Sequence, residues 1–139
     1  MKLRLSFLTL GVQDIARARL FYEGLGLHPH RSSNEQVCMF QLPQGMVLAL
    51  FGREDLAIDS GLPPGSGSRV AMACNLGSRE EVDELLARAE RLGGSISTPA
   101  GLAPWGIYRG YFTDPDGHAW EVAFNDQTRM DDQGGLWLI

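Results

Sequence analysis

Two stretches of this chain are written on one pattern. Phe40-Gln-Leu-Pro-Gln-Gly-Met-Val-Leu-Ala49 overlays Phe112-Thr-Asp-Pro-Asp-Gly-His-Ala-Trp-Glu121 at a constant offset of 72, and Phe40/Phe112, Pro43/Pro115 and Gly45/Gly117 coincide. An internal repeat constrains a fold strongly, because each copy has to form the same supersecondary unit. In both copies a Pro-x-Gly turn separates two short apolar runs, which reads as a β-hairpin with a four-residue loop. In the second turn Pro115 presets φ and Gly117 tolerates a positive value.

Each hairpin is preceded by a strand and a helix. Leu5 to Val12 reads as a strand, and Asp14 then caps a helix with apolar positions Ile15, Ala18, Phe21, Tyr22 and Leu25, stopped by Gly26. In the second copy Val70 to Leu76 is the strand. Ser78-Arg-Glu-Glu81 is a capping box, and Val82, Leu85, Leu86, Ala89 and Leu92 follow at helical spacing before Gly93. The expected fold class is α+β: two βαβββ modules forming a curved, mostly antiparallel sheet cup with helices on the outside. Module one spans about 3–52 and module two about 69–126 of a single domain covering 1–139. Between them about 53–68 reads as a linker rich in Gly, Pro and Ser, long for a compact domain, so the modules pair either within a chain or across a dimer. The tail 127–139 adds a short final strand.

Composition excludes several classes. The net charge is −5 and Lys2 is the only lysine, which argues against a nucleic-acid partner. No run approaches the roughly 18 apolar residues of a membrane span, and no signal peptide is legible, so the expected location is the cytoplasm. Cys38 and Cys74 lie in apolar runs without a Cys-x-x-Cys spacing, so buried thiols are expected rather than a disulfide or a zinc site.

The opening Leu8-Thr-Leu-Gly-Val-Gln-Asp-Ile-Ala-Arg-Ala-Arg-Leu-Phe-Tyr-Glu-Gly-Leu-Gly26 and the closing Gly110-Tyr-Phe-Thr-Asp-Pro-Asp-Gly-His-Ala-Trp-Glu-Val-Ala-Phe-Asn125 together resemble the glyoxalase/bleomycin-resistance/dioxygenase (vicinal oxygen chelate) superfamily. The resemblance runs from about Leu5 to Asn125 and implies a homodimer. It also implies a ligand site faced by both modules, used by metal-dependent lyases, isomerases and dioxygenases and by metal-free proteins that sequester a drug. Fold alone does not choose among these.

Metal-using relatives draw their ligands from the first and last strands of each module. The matching positions here are Phe7, Ala49, Ala71 and Glu121, so only one of the four carries a donor atom. The expectation is therefore no metal and no other cofactor, with a divalent cation as the alternative. Alternation places Phe7, Thr9, Val47, Ala49 and Phe51 on the cup face of module one, and Ala71, Ala73, Ala119, Glu121 and Ala123 on that of module two. A four-residue turn adds Tyr108, Gly110 and Phe112, with Gln36, Cys38 and Phe40 as their counterparts. Such a face suits a small organic ligand, and it equally suits a solid core.

Glu121 needs a partner on such a face: Arg69, Arg109, a cationic ligand, or a proton that would make it a general acid/base. A salt-bridged remnant of an ancestral metal site is the other reading of Glu121. Trp105, Tyr108 and Arg109 would clamp a planar ligand at the rim, or Trp105 would plug a subunit interface. His118 reads as a turn or packing residue, and His28 and His30 as solvated loop residues. The chain is expected to bind a small apolar or aromatic molecule, cationic ones included, without metal. The alternative is a lyase, isomerase or extradiol-type dioxygenase, metal-dependent or using Glu121 as general base.

Overall fold

The computed structural model describes residues 5–60, 63–65, 70–104 and 106–138. The chain divides into two compact units, Met1–Ser66 and Gly67–Ile139.

In the first unit, strand β1 (Phe7–Val12) leads into helix α1 (Ile15–Gly24), followed by β2 (Val37–Gln41), β3 (Val47–Gly52) and helix α2 (Arg53–Ser60). The Asp14 carboxylate accepts the Arg17 amide at 3.1 Å, which satisfies one of the orphan donors at the helix start. Gly26, at φ +101°, turns the chain out of the helix, a conformation that only glycine adopts without strain. Helix α1 buries Ala18, Phe21 and Tyr22. Phe21 and Tyr22 meet edge to face at 5.2 Å, and Tyr22 also meets Phe40 of β2 at 6.2 Å. The sheet order is β1-β3-β2, with β1 parallel and β2 antiparallel to β3.

Module one departs from the full βαβββ pattern at the strand after α1. That strand is reduced to one bridge, Pro29 to Phe40, beside a hydrogen bond from the His30 amide to the Met39 carbonyl. Proline brings no amide to a ladder, so pairing stops there. Side chains take over the edge of β2: Ser33 Oγ accepts the Met39 amide at 2.9 Å, and Asn34 Oδ1 accepts the Gln36 and Val37 amides.

The stretch expected as a structureless linker begins with helix α2. Glu54 and Asp55 in its first turn complement the positive end of the helix dipole. None of its residues is buried, so it carries no apolar stripe by which it would be read in advance. It starts tightly against β1, where a Cβ on Gly11 would meet Arg53 Cα and Leu56 Cδ2, each at 3.2 Å.

The second unit is a complete βαβββ module: β4 (Ala71–Asn75), α3 (Arg79–Arg91), β5 (Ser95–Leu102), β6 (Tyr108–Thr113) and β7 (Ala119–Phe124). Its sheet order is β4-β7-β6-β5, again with a parallel pair of first and last strands. Ser78 Oγ accepts the Glu81 amide at 3.2 Å and caps α3. Acidic Glu80 and Glu81 sit in its first turn and Arg88 and Arg91 in its last. Val82, Leu86 and Ala89 form the buried stripe against the sheet. Strand β5 is an edge strand with two register shifts, which is where Pro99 is tolerated. The tail forms a hairpin, β8 (Thr128–Met130) with β9 (Leu136–Leu138).

In each unit the helix side of the sheet is the packed side. Leu10, Val12, Cys38, Phe40, Leu48 and Leu50 form it in the first, with Phe112 and Val122 in the second. Trp120 pairs with Phe112 in register and stacks on it, centroids 6.1 Å apart and planes 5° from parallel. The architecture is the expected α+β arrangement of open sheets with helices on one face.

Candidate functional site

The repeat holds in three dimensions, and its hairpin loops are one residue longer than read from sequence. Gln41 pairs with Val47 and Thr113 with Ala119, so the two registers are again related by the offset of 72. The second loop shows why. The Gly117 amide bonds the Asp114 carbonyl at 2.9 Å, Gly117 sits at φ +88°, and the Asp114 amide bonds the His118 carbonyl at 3.0 Å. This is a turn followed by a left-handed glycine, and that glycine adds the extra residue.

One residue of register exchanges the faces of β2 and β6. Cys38 and Phe40 pair with Leu50 and Leu48, so they lie on the packed side. Phe40 is fully buried and Cys38 nearly so, which corrects their placement on the ligand face. Gln36 lies in the exposed loop before β2, with its amide bonded to Asn34. Phe112 is likewise core. Gly110 lies beneath α3, where a Cβ would meet Leu86 Cδ1 at 2.5 Å. Tyr108 belongs to that side too. Its hydroxyl donates to Asp83 Oδ1 at 2.5 Å, with the Arg79 guanidinium 5.0 Å from its ring centroid. The Asp83 bond holds the phenol above its usual range. Tyr108 therefore ties β6 to α3 and is not a rim clamp. Trp105 and Arg69 lie outside the described residues.

On the open face of the first sheet, register puts Phe7 beside Val47, and Thr9 beside Ala49, which faces Met39 across β3. Phe7 is 51 % exposed, whereas Ala49 is buried. On the open face of the second sheet, Ala71 pairs with Ala119 and Ala73 with Glu121. Beyond Glu121 in the same row come Tyr111 and then Thr98. Arg109 shares this face, paired with Ala123.

Tyr111 is the residue that the sequence reading missed. Its hydroxyl donates to Glu121 Oε2 at 2.9 Å, so Glu121 has a neutral partner from the adjacent strand. That bond is the main reason the Tyr111 phenol lies above its usual range, while Arg109 pulls it slightly the other way. The left-handed Gly117 after Asp114-Pro-Asp was the available signal, because it fixes the register that brings Tyr111 beside Glu121.

His118 is a turn residue: its Nδ1 lies 2.7 Å from the Asp114 carboxylate. His28 and His30 are exposed. Both cysteines are free, and burial pushes their thiols up.

Of the four positions that the family resemblance assigns to metal ligands, Phe7, Ala49 and Ala71 carry no side-chain donor atom and Glu121 carries a carboxylate.

A sequence profile of the Glyoxalase/Bleomycin resistance protein/Dioxygenase superfamily matches residues 4–122. Among solved structures, a glyoxalase-related enzyme from Fulvimarina pelagi is 36% identical, covering 97% of each chain at a TM-score of 0.88. A glyoxalase/bleomycin resistance protein/dioxygenase from Nocardioides is 27% identical, over 89% of this chain and 84% of that one, at 0.73. A lactoylglutathione lyase from Agrobacterium tumefaciens is 25% identical, over 88% and 93%, at 0.65. No curated protein matches the chain.

Proposed function

The chain belongs to the glyoxalase/bleomycin resistance protein/dioxygenase superfamily, and from that premise we propose that it binds a small apolar or aromatic molecule, cationic ones included, without a metal ion. One observation carries this reading. The open face of the second sheet combines the methyl groups of Ala71, Ala73 and Ala119 with a bonded polar pair, Tyr111 and Glu121, and with Thr98 and Arg109. Apolar walls with a few placed polar groups are what small-molecule sites use. Phe7, Ala49 and Ala71 at the family's ligand positions support binding without metal. The reading includes a homodimer, as the family resemblance implies, and a cytoplasmic location. Among the described residues no helix is long and apolar enough to cross a membrane.

The metal half of the reading is tested by loading untagged protein with a mixture of divalent ions, dialysing, and measuring content by plasma mass spectrometry. Well under one ion per dimer is expected. One ion per chain or per dimer would overturn it and move the protein to the lyase, isomerase or dioxygenase branch.

A second reading, a metal-free lyase or isomerase with Glu121 as general base, draws support from the Fulvimarina pelagi relative, which is described as an enzyme. Turnover that disappears in Glu121→Gln while binding persists would mark it.

A further inference from the structure

The row Ala73, Glu121, Tyr111, Thr98 crosses the open face of the second sheet. Tyr111 occupies Oε2 of Glu121, and among the described residues Oε1 accepts no hydrogen bond. An ionised carboxylate accepts only, so whatever meets Oε1 has to donate. Charge-assisted donors form the stronger bonds. The tyrosine fixes the carboxylate before any ligand arrives, which lowers the ordering cost of binding. Around the pair, Ala71, Ala73 and Ala119 offer methyl groups. Among the described residues, Arg109, two residues along β6, is the feature of this face that favours an anion.

We infer that Glu121 and Tyr111 form an ammonium-recognition element, and that the ligand is a flat apolar molecule carrying one protonated amine. The amine donates to Glu121 Oε1 and the flat body lies on the alanine methyls. Tyr111 acts as a positioning residue, holding the carboxylate in place for the amine. This inference rests on the binding reading above and adds the ligand's charge to it.

The test is calorimetric titration of the whole chain with three probes on one skeleton: naphthylmethylammonium, naphthylmethanol and naphthoate. The ammonium is expected to bind roughly tenfold or more tighter than the alcohol, and naphthoate weakest. In Glu121→Gln, an isosteric change, the preference for the ammonium over the alcohol collapses to within about twofold. In Tyr111→Phe the preference narrows. Equal affinity for ammonium and alcohol, tightest binding of naphthoate, or a preference that survives Glu121→Gln would overturn the inference while leaving the binding reading in place. Binding of none of the three would overturn both.

Discussion

Phe40→Ala is expected to lower the unfolding free energy by about 3–5 kcal/mol, measured by denaturant titration, because the ring is fully buried. The ring lies on the packed side of its sheet against Tyr22 of α1. Its loss removes transfer free energy and leaves a cavity that the helix and sheet close only in part. Phe40→Leu keeps most of the volume and is expected to cost about 1–2 kcal/mol, so an unfolded alanine variant does not end the experiment. The leucine variant should bind the naphthyl probes within about twofold of the wild type, since the residue lies on the packed side of the first sheet while the binding groups are on the second. A small stability loss accompanied by a large change in binding would instead put Phe40 on the ligand face.

Asp114→Ala should cost about 3 kcal/mol, or roughly 10 °C in midpoint for a domain of this length. The carboxylate is buried, with 3 % of the residue exposed. Its Oδ1 accepts the amides of Asp116 and His118, each at 2.9 Å, and its Oδ2 meets His118 Nδ1 at 2.7 Å. Alanine leaves those donors without their acceptor inside a tight turn, and an orphaned buried donor is costlier than a bond never made. Asp114→Asn retains one acceptor oxygen and is expected to lose roughly half as much. The consequence reaches the site, because this turn fixes the register that sets Tyr111 beside Glu121. Amide exchange across β6 and β7 should therefore rise together with the turn's. Exchange confined to Asp114–His118 would show that the register is held elsewhere.

Much of the fold was readable because its signals are local. Asp14 and Ser78 cap the helices they were expected to cap, and the stripe Val82, Leu86, Ala89 packs as its spacing requires. The repeat placed both hairpins and paired the right strands. The errors share one source. A period of two means that a single residue in a loop inverts a whole strand, so counting the Asp114–Gly117 turn as four residues moved Tyr108, Gly110 and Phe112 to the wrong face and hid Tyr111. Module one inherited the slip through Cys38 and Phe40. Strands β1, β3, β4 and β7 escaped it, because their faces were set from the opening and closing motifs and not counted through a turn. Helix α2 was not legible because nothing on it is buried, and an exposed helix shows no apolar period. The truncated strand at Pro29 was legible in principle, since a proline there removes a ladder donor.

Binding that needs no metal is the claim on which the rest stands. Its most direct test is calorimetric titration of the wild type with naphthylmethylammonium before and after exhaustive treatment with a chelator, then again after adding nickel, zinc or manganese. The same affinity is expected in every state, because the proposed binding groups are the Glu121–Tyr111 pair and the alanine methyls. Affinity that vanishes with the chelator and returns with an ion would contradict the account and assign Glu121 to a metal.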